Sequence, residues 1–270
     1  MNWNRLKEAK VTMVITVLCV LVFAAIHLAP LNLSKIEKAI FLGAYYKPFV
    51  LAGEWWRLVS VGLVHVSVWH LMMNLFSFSN TGPLLEREYG RLRYALILCG
   101  SIAGGSLFQL IRGGNTIVVG LSGGLYGLMA AYIMLVVQAG GMRIPAYRNM
   151  IMEMLMVNLM INFMPNIAYL AHIGGFVTGA LLGIILKPGR GSSLKTNCSL
   201  ALVILLGAMI WLGRDSFAIG QNERYIGSDL SLLKETSRLG LSTHSAHMAE
   251  KLDQLYGTEG YIEAVVKEGS

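Results

Sequence analysis

A chain of 270 residues with 55% hydrophobic and only 14% charged side chains is too apolar for a water-soluble domain, in which roughly a quarter of residues carry charge. The composition therefore excludes a soluble fold and makes lipid the solvent for most of the chain. The net charge of +7 would suit nucleic acid, but the basic residues lie in short loops between apolar runs and call for no such partner.

A spanning helix needs about 20 predominantly apolar residues. The first such run, 11–29, follows the cytoplasmic N-terminus 1–10. It is too long for the apolar part of a cleaved leader and is followed by more spans, so it is a retained anchor. Residues 30–64 form a long outer connection containing Glu54, Trp55, Trp56 and Arg57. Its apolar, aromatic character predicts a segment lying in the membrane interface. Apolar runs at 65–85, 94–111, 117–138, 150–164 and 167–186 complete a six-helix core over 11–190. A seventh span falls in 191–213, and 214–270 is a polar tail on the outer side with one amphipathic helix near 245–256. The expected fold is an all-α membrane protein, a bundle of six core transmembrane helices plus a seventh C-terminal helix.

Lysine and arginine set the orientation. Arg5, Lys7, Lys10, then Arg87, Arg91, Arg93, then Arg143, Arg148, then Lys187, Arg190 and Lys195 share one side, while the short loops after the third and fifth spans hold only Arg112. Cytoplasmic loops collect positive charge, so the N-terminus is cytoplasmic. With no organelle-targeting presequence in view, the expected location is a bacterial plasma membrane. Cys19, Cys99 and Cys198 lie in or beside apolar runs without paired spacing, as buried thiols do, so neither a disulfide framework nor a zinc site is expected. His244 and His247, three apart in the tail, suit a solvated helix face better than a metal site.

Polar groups inside a membrane are costly and mark function. His70 and Asn74, four apart, share one face of the second span, Ser122 lies in the fourth and His172 in the sixth. Counted from the predicted outer ends, His70, Ser122 and His172 sit about five residues deep, or roughly 8 Å at the helical rise. Gly120, Gly123, Gly124, Gly127 and Ala131 crowd the fourth span, and Ala171, Gly175, Gly179 and Gly183 recur every fourth residue in the sixth. Small residues at this spacing let helices approach closely in lipid. Packing these faces together brings Ser122 towards His172.

Other proteolytic chemistries fail on this inventory. An aspartyl dyad needs two buried carboxylates, yet Asp215, Asp229 and Asp253 all follow the last span. No histidine is followed by glutamate, as a zinc protease helix requires, and no lysine occurs between Lys47 and Lys187. Ser122 with His172 as general base survives. Without an aspartate to orient His172 the pair is a dyad, not a triad. Gly120-Leu121-Ser122-Gly123-Gly124 also fits the hydrolase elbow pattern, but that pattern needs a strand before the serine, and nothing strand-like is expected there. The glycines instead leave backbone N–H groups near the helix start to face an oxyanion, with His70 and Asn74 as side-chain donors.

These residues together resemble the rhomboid intramembrane serine proteases over roughly 50–190. Gly120-Leu121-Ser122-Gly123 fits the family's GxSG motif, and His172 with Gly175 and Gly179 fits its sixth-span motif. His65, His70 and Asn74 fit the second-span pattern, Trp56-Arg57 the outer-loop signature, and Glu86 with Gly90 the cytoplasmic end of the second span. Tyr126 matches the ring on which the catalytic histidine stacks. The resemblance implies Ser122 as nucleophile and His172 as its base, with His70, Asn74 and the N–H groups of Leu121 and Ser122 holding the oxyanion. It implies structural roles for Arg57 and Glu86, no cofactor, no metal, and single-span membrane proteins in the bilayer as substrates, cut near the outer boundary. A catalytically silent rhomboid-like binder of transmembrane helices is the alternative, but such proteins typically lack the serine or the histidine. A transporter would need paired intramembrane charges, and Glu86 and Glu153 lie near cytoplasmic ends where they reach water.

Overall fold

The computed structural model describes residues 8–165, 167–189, 193–213, 219 and 225–268. Arg5, Lys7, Arg190 and Asp215 lie outside the described residues. The first long helix, α1, is Lys10–Leu28. The connection after it holds α2 (Lys35–Phe41), strand β1 (Tyr45–Tyr46), α3 (Lys47–Leu51), α4 (Arg57–Ser60) and a 3-10 turn at Val61–Leu63. Then follow α5 (Val68–Tyr89), α6 (Arg91–Arg112), strand β2 (Ile117–Val118), α7 (Ser122–Gln138), α8 (Pro145–Asn162), α9 (Tyr169–Ile185) and α10 (Ser193–Gly213). The C-terminal region folds into α11 (Ile226–Arg238), α12 (Ser242–Tyr256) and α13 (Tyr261–Glu268). The molecule is an all-α membrane bundle.

Helix α9 sits at the centre because glycine removes its side chains where other backbones approach. A Cβ on Gly175 would lie 2.1 Å from the Gly123 carbonyl oxygen, and one on Gly179 would lie 2.3 Å from Gly127 Cα. On its other side α9 meets α6, where Thr178 occupies the space above Gly104 and the Ala171 carbonyl abuts Gly105. The α6–α7 seam is closed by Leu98 and Ile102 against Gly124. Around these three helices Phe78, Leu85, Tyr89, Tyr94, Ile97 and Leu98 are fully buried. Outward faces carry exposed apolar side chains instead, among them Val17 and Leu21 on α1, Met72 and Phe76 on α5, Met156 and Met160 on α8, and Val203 and Ile204 on α10. Exposed apolar belts of this extent belong against lipid.

By length and apolarity alone, two described helices reach a full span, α1 and α6, with α5 a third if its bent approach from Arg57 is counted. Helices α7, α9 and most of α10 are apolar but shorter. The Glu86 carboxylate does not reach water as expected. It is buried and accepts from the Val11 and Thr12 N–H groups at 3.0 and 2.9 Å and from the Thr12 hydroxyl at 2.9 Å. It thereby caps the first turn of α1, whose unpaired N–H groups and partial positive charge favour an anion.

Two regions carry more structure than expected. The 30–64 connection, expected to lie in the membrane interface, is a folded unit with helices and a strand of its own. Arg57, almost fully buried, organises it by donating to the Ile40 and Ala44 carbonyls and to Glu54 while stacking on Trp56 at 4.6 Å. The tail forms three helices where one was expected, and their apolar faces pack on that unit. Leu232, Leu233, Met248, Leu252 and Tyr256 meet Ile40, Tyr46 and Phe49 in one buried cluster. At its heart Asp229 accepts from Tyr46 Oη at 2.8 Å and Tyr256 Oη at 2.6 Å.

Candidate active site

The chain before Ser122 is not helical as expected. Ile117 and Val118 pair antiparallel with Tyr46 and Tyr45, so the fourth apolar run is split and its helix starts at Ser122 itself. A short strand does therefore precede the serine, although it pairs with the 30–64 unit and belongs to no hydrolase sheet. Gly120 turns the chain at φ +116°, a value open to glycine and strained for other residues. Its N–H donates to the Val61 carbonyl at 3.1 Å. Ser122 thus begins α7, where the first-turn N–H groups have no partner within the helix.

His172 lies on the first turn of α9, one turn before Gly175, so the closest approach of α7 and α9 falls beside Ser122 and His172. The His172 Nε2 atom is 2.8 Å from Ser122 Oγ. The imidazole stacks on the Tyr126 ring at 4.1 Å with 10° between planes. Gly120 packs on the His70 ring, close enough that a Cβ would lie 2.6 Å from Cε1, with Asn74 Nδ2 3.7 Å away. Asn74 donates one amide hydrogen to the His70 carbonyl at 2.9 Å, leaving its second N–H. Leu121 N–H points at His65 Nε2 across a long 3.4 Å, and His65 stands edge-on to His70 at 5.1 Å. His65 thus supports the loop before the serine, and the Leu121 N–H assigned above to an oxyanion has this partner instead. Among the described residues no three histidine, cysteine, aspartate or glutamate side chains converge as a metal site requires.

Sequence reasoning left His172 without an orienting group, and the structure supplies one. Asn162 Oδ1 lies 2.7 Å from His172 Nδ1. Asn162 and Asn158, four apart on α8, are two amides in a short apolar run. The cost criterion that singled out His70 and Asn74 applied to them equally. A cavity of about 190 Å³ between α8, α7 and α9 is lined by Tyr126, Asn158, Asn162, His172 and Phe176.

Residues 52–189 match the family model described as the Rhomboid domain, about half of the chain. The chain belongs to the rhomboid family. RHOMBOID-like protein 4 of Arabidopsis thaliana is 33% identical over 157 residues, covering 55% of this rhomboid and 39% of the plant protein. The putative rhomboid protease YdcA of Bacillus subtilis (strain 168) is 32% identical over 142 residues, 52% of this chain and 71% of that one. Rhomboid protease GluP of the same bacterium is 27% identical over 178 residues, 64% of this chain and 34% of GluP. The chain spans 39%, 50% and 52% of three Arabidopsis relatives, about half of their length or less. The matched region holds Ser122, His172, His70, Asn74 and Arg57 but ends before α10 and the tail.

Proposed function

We propose that this rhomboid is an intramembrane serine endopeptidase that cuts single-span membrane proteins near the outer membrane boundary. The observation that carries the reading is the 2.8 Å contact between His172 Nε2 and Ser122 Oγ. In it, Ser122 Oγ attacks the scissile carbonyl carbon while Nε2 takes its proton, and the same proton is passed to the leaving amine. Water, activated by Nε2, then releases the acyl group from Ser122. The developing oxyanion is met by the Ser122 N–H at the start of α7 and by His70 and Asn74 beside Gly120. Losing one such donor typically costs about a hundred- to a thousandfold in rate. Supporting it, two Bacillus relatives carry the name rhomboid protease. The N-terminus is cytoplasmic in this reading, with the 30–64 unit and the tail outside.

The test is Ser122→Ala and His172→Ala in proteoliposomes holding a model single-span substrate. Both variants lose cleavage and lose labelling by a fluorophosphonate probe. Cleavage that persists in Ser122→Ala sinks the reading and leaves another chemistry, whereas a parent protein that neither cleaves nor labels leaves a non-catalytic helix binder.

A further inference from the structure

The orientation of an asparagine amide and the tautomer of a histidine are set by what surrounds them, and here the surroundings leave one choice. Asn158 presents its backbone carbonyl, an atom that only accepts hydrogen bonds. Asn162 Nδ2 lies 3.0 Å from that carbonyl, and Tyr126 Oη donates to it at 2.9 Å. Because Nδ2 must face the carbonyl, Oδ1 must face the other way, towards His172 Nδ1 at 2.7 Å. The second Nδ2 hydrogen goes to Tyr126 Oη at 3.0 Å. Reversing the amide would set oxygen against oxygen at the Asn158 carbonyl. An accepting Oδ1 places the imidazole proton on Nδ1 and leaves the Nε2 lone pair facing the Ser122 hydroxyl 2.8 Å away.

We propose that Asn162 is the positioning residue of the His172 base, fixing through an amide locked by the Asn158 carbonyl the one tautomer that can deprotonate Ser122. The assignment rests on the Ser122–His172 reading. The catalytic arrangement is then a relay of hydroxyl, imidazole and amide. An amide is neutral, so it sets direction without drawing a proton onto the ring. A carboxylate in its place would also stabilise the imidazolium and raise the pH at which His172 becomes a base. Asn162 is the last residue of α8, and the register of that helix against α9, which carries the ring, decides whether its oxygen reaches it. Tyr126 serves twice, as the plane beneath the imidazole and as the hydroxyl that fills the remaining amide hydrogen.

The experiment follows fluorophosphonate labelling of the detergent-solubilised full chain, giving the inactivation rate constant at saturating probe and the half-saturating probe concentration, across pH 5 to 9. Asn162→Ala frees the ring to carry its proton on either nitrogen. The rate constant falls about ten- to a hundredfold, part of the hundred- to ten-thousandfold that a positioned base supplies, while half-saturation stays within about twofold. Asn162→Asp restores the acceptor and adds charge, so the rate recovers on the alkaline side and the rising limb moves up by about one pH unit or more. Met160→Ala, on the outward face of the same helix, labels as the parent does. An Asn162→Ala rate and pH profile equal to the parent's overturn the assignment, as does an Asn162→Asp profile that keeps the parent midpoint. If Asn162→Ala loses its melting transition, the Asn162→Asp profile decides alone. Labelling that survives Ser122→Ala points instead at the underlying reading.

Discussion

Replacing Gly175 by alanine adds one methyl group at the tightest point of the α7–α9 seam. An ideal Cβ there lies 2.1 Å from the Gly123 carbonyl oxygen, 2.9 Å from its carbon and 3.2 Å from its Cα. All three are backbone atoms, so no side chain can rotate away. Carbon–oxygen contacts settle at about 3.3 Å, so the helices must separate by about 1.2 Å at this level. Ser122 precedes Gly123 and His172 lies one turn before Gly175, so the same separation acts on the 2.8 Å Ser122–His172 contact and stretches it to about 4 Å, beyond hydrogen-bond reach. Overpacking of this kind costs about 1–3 kcal/mol of stability, and losing the base contact removes about a hundredfold or more in rate. The assay pairs fluorophosphonate labelling with a detergent melt, against Gly207→Ala on α10, where an added Cβ meets no atom within 4 Å. Gly175→Ala labels at least about a hundredfold more slowly while Gly207→Ala is unchanged. A Gly175→Ala protein that labels at the parent rate would refute the claim that this seam sets the distance between Ser122 and His172.

Three further outcomes follow from charges placed away from the serine. Glu86→Gln keeps the size of the side chain but removes the anion from the start of α1, and costs about 1–2 kcal/mol in a melt with labelling per folded molecule unchanged. Arg57→Lys cannot reach the Ile40 and Ala44 carbonyls and Glu54 together, so it loosens the 30–64 unit by about 2–3 kcal/mol, read as faster amide exchange over 35–60. Burial lifts the Asp229 carboxyl from 3.8 to about 6, against the opposing pull of the two tyrosine hydroxyls. A carboxyl raised on folding binds its proton more tightly in the native state, so its contribution is complete below about pH 4 and is lost as pH rises through about 6. Exchange protection of α11 to α13 should fall between pH 4 and 7 by an amount of order 3 kcal/mol, and Asp229→Asn should flatten that slope. A slope unchanged in Asp229→Asn would assign the titration elsewhere.

The parts of the fold written in the sequence are those with one physical solution. Apolar runs in lipid must be helices, so the long elements were readable, and glycines every fourth residue in α9 foretold a close seam. The break at 117–121 was not readable, because Ile117 and Val118 suit a strand and a buried helix equally, and their partner lies some seventy residues earlier at Tyr45–Tyr46. The tail was read as polar because its amphipathic helices bury only one face each, and the surface they cover is the distant 30–64 unit. Ser122 and His172 were legible as polar groups that lipid penalises, and Tyr126 only through the resemblance to the rhomboid proteases. Asn162 carries the same penalty, but its meaning depends on a carbonyl one turn away and a ring on another helix, which no spacing rule encodes.

The docking of the tail bears on how many helices cross the membrane, where length and apolarity leave α5, α7, α8, α9 and α10 short of a full span. Asp229 on Tyr46, His244 Nε2 at 3.0 Å from Glu54 Oε1, and Glu235 accepting from the Asn32 N–H tie the tail to the connection between α1 and α5. Two segments in such contact lie on one side of the bilayer. Between them run six described helices, α5 to α10, so the membrane reading proposed above requires an even number of these to cross. Counting all six keeps the parity, and discarding α8 alone for its polar residues breaks it. The polar residues of α8 are then no argument against a crossing, since Asn162 bonds Tyr126 and His172 and the Asn158 amide donates to the Met154 carbonyl at 2.8 Å, so both are met by protein instead of lipid.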